Sequence, residues 1–139
     1  MNRILAIFLL TMASVAATAA NAQQPTLKAN IPFDFTVGNT SMPAGEYTIT
    51  SPIQEVLVLR TAGHSASVVS SESYAESKSG SALVFDKYGN QYFLHEVFCP
   101  NVVSLNLEVA QSRAEKSARQ HAIEAKLPNS GEQIMVAAR

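Results

Sequence analysis

The sequence has few of the residues that stabilise small domains covalently or bind charged partners. Cys99 is the one cysteine among 139 residues, so no disulfide can form within the chain. Tryptophan is absent, and charged residues make up 15% of the chain with a formal net charge of −1. This balance gives no electrostatic basis for nucleic-acid binding. A hydrophobic core must hold the fold, and Cys99 is predicted to be buried at a strand end, the alternatives being a reactive thiol or an intermolecular disulfide.

The first 22 residues have the pattern of a secretory signal peptide. Arg3 supplies a positive charge, residues 4–12 form an apolar run broken only by Thr11, and the small-x-small pattern of residues 20–22 fits a signal-peptidase site. The run is shorter than the roughly 20 residues that a membrane-spanning helix needs. We therefore expect residues 1–22 to be removed on export. Residues 23–139 are predicted to form a single domain that is secreted or periplasmic and has no integral membrane span.

Alternation of apolar and polar residues predicts a strand over residues 27–37. Pro32 lies on the outward face of this strand and lacks an N–H, which favours an edge strand or a bulge at that point. A second strand is predicted over residues 46–50, after a proline-glycine turn. Residues 56–59 are apolar at every position, which indicates a central strand covered on both faces. The first half of the chain is thus predicted to be all strand.

The next segment contains a weak strand over residues 66–70, and the serine-rich stretch 70–81 that follows is predicted to be a mobile loop. Residues 82–86 and 91–98 then have the pattern of two strands joined by a tight turn. This pair predicts a β-hairpin.

Past Pro100 the composition changes. A short strand is predicted over residues 102–107 and another over 133–138. Between them, Ser112 and Glu115 match a capping box, so a helix is predicted over about residues 113–126, with a shallow alanine stripe. The fold class is therefore all-β, as an antiparallel β-sandwich or a partly open barrel of six to eight strands with one C-terminal helix.

Three segments resemble a group of small exported bacterial proteins of unknown function. These segments are IPFDFTVG at 31–38, PAGEY at 43–47 and FDKYGNQYFL at 85–94. Members share an IPFxFxVG and PAGxY opening and a YGxxYFL hairpin. The resemblance implies a β-sandwich-like fold and no activity, so it assigns no functional residue.

No catalytic or metal-binding motif is complete. The segment from His95 to Cys99 mimics a zinc-protease motif, but that motif needs a helix. On a regular strand these two residues would share a face about 13 Å apart, too far for one ion. Asp34 and Asp86 fall on the wet side of strand patterns, and nucleophile-elbow and phosphate-binding motifs are absent from the sequence. We expect no metal and no cofactor.

Function has to be inferred from export and from side chains that the core does not need. Tyr74, Tyr88 and His95 are the candidate ligand-binding residues, since exposed rings often bind sugars or peptides. The leading hypothesis is a non-catalytic binding or structural module of the envelope or periplasm, with a glycan or protein partner. The alternative is a small secreted hydrolase that uses His64 or His95. An outer-membrane barrel is disfavoured because only residues 27–37 reach the 9–11 residues that a spanning strand needs.

Overall fold

The computed structural model describes residues 24–73, 80–102 and 105–139. The fold is all-β with one C-terminal helix, as predicted, but the described residues form ten strands instead of six to eight. Helix α1 spans Arg113–Glu124. The strands are β1 (Thr26–Ile31), β2 (Phe35–Val37), β3 (Thr40–Met42), β4 (Gly45–Ile53), β5 (Val56–Thr61), β6 (His64–Glu72), β7 (Ala82–Tyr88), β8 (Gln91–Phe98), β9 (Leu107–Val109) and β10 (Glu132–Ala137).

The signal segment 1–22, Tyr74 and residues 74–79 of the predicted serine-rich loop lie outside the described residues. The start of that loop prediction is wrong, because residues 70–72 belong to β6, which spans His64–Glu72 and pairs with β9 there. Among the residues that are described, no helix has the length and apolar character needed to cross a membrane.

All ten strands belong to one sheet. The order of paired strands is β1-β4-β5-β6-β9-β8-β7-β10. Strand β2 also pairs with β8, at Phe93, and β3 pairs with β2. Pairing is antiparallel except between β2 and β8, which meet in parallel at Thr36 and Phe93. The outermost strands approach each other again, because the backbones of Lys28 and Arg139 exchange hydrogen bonds of 2.7 and 2.9 Å. The sheet thus wraps into a partly open barrel.

One hydrophobic core fills this wrapped sheet. Every strand contributes inward-facing side chains to the same cluster, because successive residues of a strand point to opposite faces. Tyr47 is the largest side chain that is fully buried. Its hydroxyl donates a 2.6 Å hydrogen bond to the Pro43 carbonyl, so the polar end of the ring is satisfied.

The long N-terminal strand is interrupted, contrary to the prediction of one strand over residues 27–37. Strand β1 ends at Ile31 and β2 begins at Phe35, so the chain turns a corner that contains Pro32. The inward positions keep their alternation across the corner, and Phe33 is packed against the core. Proline cannot donate to a sheet ladder, which is why the corner forms at this residue.

Burial also corrects the interpretation of residues 56–59. Leu57 and Leu59 are fully buried, but Val56 and Val58 are only half-buried. One face of β5 therefore packs on the core while the other is partly open to solvent.

The later elements match the predictions more closely. The β7–β8 hairpin forms, with β7 extended to Tyr88, and β10 pairs with β7 over six residues. The short strand predicted at 102–107 is displaced to Leu107–Val109. Helix α1 begins where the capping box predicts, since the Ser112 hydroxyl accepts a 3.2 Å hydrogen bond from the Glu115 N–H. It ends two residues before the predicted limit.

Candidate functional site

A groove of about 720 Å³ lies between α1 and the β7–β8 hairpin, with β2 and β3 along one side. We call it the helix groove. Four separate segments of the chain meet in it, so no local sequence pattern could have predicted it. The residues that line it are Asp34, Phe35, Thr36, Ser41, Tyr88, Gly89, Asn90, Gln91, Tyr92, Phe93, Ala114, Ser117, Ala118, His121, Ala122 and Leu127.

A small apolar cluster holds α1 against the hairpin. Tyr88 and Phe93 pack with Ala122, and Ala118 lies beside them. The ring centroids of Tyr88 and Phe93 are 6.0 Å apart. Because the helix presents alanines here, the contact buries little apolar area. The groove is therefore the space that these small side chains leave open.

The polar lining of the helix groove is mainly uncharged. Hydroxyl and amide groups dominate it, and each of these can both donate and accept hydrogen bonds. Asp34 is tied to the backbone, since its Oδ1 accepts a 2.8 Å hydrogen bond from the Ala44 N–H. His121 is exposed on α1. The lining residues that the structure describes include no lysine or arginine. This chemistry suits a neutral polar ligand better than an anionic one.

The structure changes the expected role of Tyr88. The sequence predicts an exposed turn residue that the core does not need, but Tyr88 is the last residue of β7 and is buried beneath α1. Its hydroxyl donates a 3.5 Å hydrogen bond to Glu115 Oε1. Tyr88 therefore borders the helix groove as a buried wall.

A second group of polar side chains lies on the outer face of β7, β8 and β9. His95 Nδ1 is 3.4 Å from Asp86 Oδ2, and its Nε2 is 4.0 Å from Glu108 Oε1. In the described part of the chain Nδ1 has no hydrogen-bond partner, so its contact with Asp86 is electrostatic. Gln133 donates a 3.3 Å hydrogen bond to Asp86 Oδ1. We call Asp86, His95 and Glu108 the outer-face cluster.

Two predictions about this face are wrong. The alternation of β7 predicts a wet position for Asp86, but this residue is only 7% exposed. A regular strand would put His95 and Cys99 on one face, but the β7–β8 register shifts between Val84 and Phe85, opposite His95. This irregularity changes the alternation of β8, so Cys99 joins the core while His95 lies beside Asp86.

Burial shifts the protonation equilibria beside the groove. Glu115 is 4% exposed, and this desolvation raises the pKa of its carboxyl, with a further increase from the charge of Asp86. His95 and the hydrogen bonds from Tyr88 and Gln111 lower the pKa and so partly oppose the shift. Desolvation also raises the pKa of Tyr88, and the charges of Asp86 and Glu115 add to that increase. Ionising either group inside this contact is unfavourable.

The remaining candidate residues are dispersed. His64 is exposed at the start of β6, outside the helix groove. Cys99 is free and buried, as predicted, and its N–H donates a 2.6 Å hydrogen bond to Asn106 Oδ1. Among the described residues no three His, Cys, Asp or Glu side chains are arranged to hold a metal ion.

Sequence reasoning misses most of the groove residues. It does not propose Asp34, Ser41 or His121 as binding residues, because each lies in a different segment and none forms a motif with the others. Beside the groove, Glu115 carries a sequence signal, since it is the glutamate of a capping box. That motif predicts where the helix begins, but it cannot show that the carboxylate is buried.

The comparisons with known proteins identify no relative. No family model matches the chain, and neither the curated proteins nor the solved structures contain a significant match.

Proposed function

We propose that this protein is an exported, non-catalytic β-domain that binds a neutral, hydroxyl-rich ligand, such as a segment of an envelope glycan, in the helix groove. The mainly uncharged hydroxyl and amide lining of the groove is the observation that carries this proposal. Ligand sites are concave and combine apolar walls with a few polar groups that fix orientation. The groove has this composition, with Phe93, Ala118 and Ala122 as apolar wall.

The proposal places binding away from the charged outer-face cluster. Neither Asp86 nor His95 is among the described residues that line the groove. Two exposed ionisable groups line the groove, His121 and Asp34, and the Asp34 carboxylate accepts a hydrogen bond from the Ala44 N–H. Such a lining supports recognition by hydrogen bonding better than proton transfer or nucleophilic attack.

A titration of the processed protein with a ligand panel tests this function. The panel contains neutral oligosaccharides, acidic oligosaccharides and unstructured peptides, and binding is followed by chemical shifts of the groove amides. We expect the neutral oligosaccharides to shift residues of α1 and of the β7–β8 hairpin. Preference for acidic oligosaccharides, or shifts confined to another face, would contradict the proposal.

A pair of helix substitutions locates the binding surface. Ser117→Arg places a long cation into the groove from an accessible helix position, so we expect binding to weaken about tenfold or more, which corresponds to roughly 1.4 kcal/mol. Gln120→Arg adds the same side chain to α1 outside the groove lining and serves as the control. Equal affinities for the two variants would show that the ligand binds elsewhere.

One observation favours the alternative function, a secreted hydrolase. A buried carboxylate beside a histidine is half of a nucleophile-activating arrangement, and Asp86 lies beside His95 in this way. His95, however, has a second carboxylate, Glu108, near its other nitrogen. If a screen of ester, glycoside and peptide substrates detects turnover, His95→Gln should abolish it and His64→Gln should not. Turnover that survives both substitutions would remove this alternative.

A further inference from the structure

The contact between α1 and the sheet is built around a buried carboxylate. Glu115 and Ala122 are the helix residues that are buried, and Ala118 packs beside them. These positions, three and seven residues apart, lie on one side of a helix. Two alanines contribute little hydrophobic stabilisation, so the environment of Glu115 has a large influence on whether the helix stays docked. Its carboxylate is the buried polar group that α1 places against β7.

Titratable groups of the sheet share the face against which Glu115 is buried. On β7, Tyr88 donates to its carboxylate and Asp86 lies two residues earlier on the same face. His95 and Glu96 of β8 and Glu108 of β9 share that face, and Glu96 is paired directly with Glu108. From α1 itself, the charge of Arg119 acts on Tyr88. Of these groups, the charge of Asp86 raises the pKa of the Glu115 carboxyl, and that of His95 lowers it.

We propose that Glu115 is a pH-sensitive latch, which docks α1 firmly when it is protonated and loosens it when it is ionised, and thereby regulates the helix groove. The regulatory part rests on the proposed function, because α1 forms one wall of that groove. An ionised Glu115 must be desolvated near Asp86, whereas a protonated one avoids both costs. These costs outweigh the contacts with His95 and Tyr88, which favour the ionised form.

The sign of the pH dependence follows from the direction of the pKa shift. Docking raises the pKa of Glu115 above its ordinary value of 4.5. Between that value and the raised one, the docked state retains a proton that the released state has lost. Docking is therefore strongest below pH 4.5 and weakens as the pH rises through this window. Neutral pH is the loosened condition.

Hydrogen exchange on the free protein tests the latch without any ligand. Protection factors of the α1 amides, corrected for the intrinsic pH dependence of exchange, are compared between pH 4 and pH 7. We expect wild-type protection to be several-fold lower at pH 7 than at pH 4, because ionisation of Glu115 favours release of the helix. Glu115→Gln should hold α1 at its high protection at both pH values.

A matched control and a second variant keep the test decisive. Glu124→Gln neutralises an exposed carboxylate of the same helix and should leave the wild-type pH dependence intact. Asp86→Asn removes the neighbouring charge and should reduce the pH dependence even if Glu115→Gln fails to fold. Wild-type protection that does not change between pH 4 and pH 7 would overturn the latch.

The ligand arm is separate. Affinity for a neutral oligosaccharide should fall with rising pH in the wild type and remain constant in Glu115→Gln. If protection in α1 depends on pH and no oligosaccharide binds, the latch is supported and the proposed function fails. The opposite result is an oligosaccharide affinity and an α1 protection that both do not depend on pH. In that case the proposed function is supported and the latch fails.

Discussion

Gly89 shows how one residue fixes the entry to the helix groove. It has a φ of +62°, in the left-handed region that favours glycine, and a Cβ at this position would lie 2.9 Å from Leu127 Cδ1. The turn of the hairpin and the segment after α1 therefore meet at this glycine. Both the backbone conformation and the contact depend on the absence of a side chain.

A substitution at Gly89 separates these two effects. Gly89→Ala should reduce the free energy of unfolding by about 1–2 kcal/mol through backbone strain, plus the displacement of Leu127. Gly63→Ala is the control, because Gly63 has a φ of +80° and a Cβ added there would meet no described atom within 4 Å. Urea denaturation of both variants gives the difference. If both variants lost the same free energy of unfolding, Leu127 would not be in contact with Gly89.

Cys99 is expected to be chemically inert in the folded protein. It is buried in the core, and its sulfur lies 3.4 Å from the Ser81 hydroxyl. A thiol reagent should therefore label the native protein about 100-fold or more slowly than the unfolded protein, because access requires opening of the structure. Rapid native labelling, or a covalent dimer that disappears on reduction, would contradict this burial.

Single residues also mark where sequence reasoning reaches its limit. Alternation predicts the inward residues of β1 correctly, because one buried face is enough to set a two-residue period. It fails at His95, where an irregular step shifts the period by one residue and leaves no trace in composition. It also fails at Asp86, because a helix more than 25 residues later in the chain covers the region around it. Burial that depends on distant elements cannot be read from a local pattern.

At the level of elements, the N-terminal cap of α1 stabilises a helix that packs only weakly against the sheet. The Ser112 hydroxyl satisfies an N–H of the first turn, where helix donors otherwise lack partners. Most of α1 is exposed, so local signals of this kind contribute a large share of its stability. This is also why the start of the helix can be predicted well from the sequence.

The cap can be removed alone. Ser112→Ala should destabilise α1 by about 1 kcal/mol, the usual cost of losing such a cap. Exchange of the α1 amides should accelerate about fivefold, while amides of β4 and β5 keep their protection. Ser117→Ala, at an exposed position of the same helix, should not accelerate exchange, since alanine is the better helix former. Acceleration in both variants would show that the cap is not responsible.

The hairpin and the corner at Pro32 illustrate the same contrast between elements. The β7–β8 hairpin is predictable because its turn and both strands are contiguous, with Gly89 supplying the required conformation. The split between β1 and β2 is only partly predictable. Proline indicates an irregularity, but the position of β2 beside β8 depends on a contact with a strand more than 50 residues away.

The molecule as a whole has one core that every strand helps to enclose, so the β-domain should unfold cooperatively. The last strand is part of this enclosure. Ile134 and Val136 of β10 pack against the core, whereas Met135 between them is 54% exposed on the outer face. The C-terminal strand is therefore structural even though it follows a weakly packed helix.

Charge substitutions on β10 test this enclosure. Val136→Asp should lower the free energy of unfolding by about 2–4 kcal/mol, because it places a carboxylate at the edge of the core. Met135→Asp, on the opposite face of the same strand, should cost less than about 1 kcal/mol. Circular dichroism and tyrosine fluorescence should report one shared transition for each variant. Separate transitions, or equal effects of the two substitutions, would contradict a single core.

The position of α1 between β9 and β10 has a kinetic consequence. Both neighbouring strands belong to the sheet, and only residues 110–112 and 125–131 connect them to the helix. A helix that leaves the sheet stays tethered at both ends, so its return is a fast intramolecular event with a small loop-closure cost. Brief dissociation of α1 from the sheet should thus admit or release a ligand. The barrel stays folded during this motion, so ligand exchange does not require unfolding of the domain.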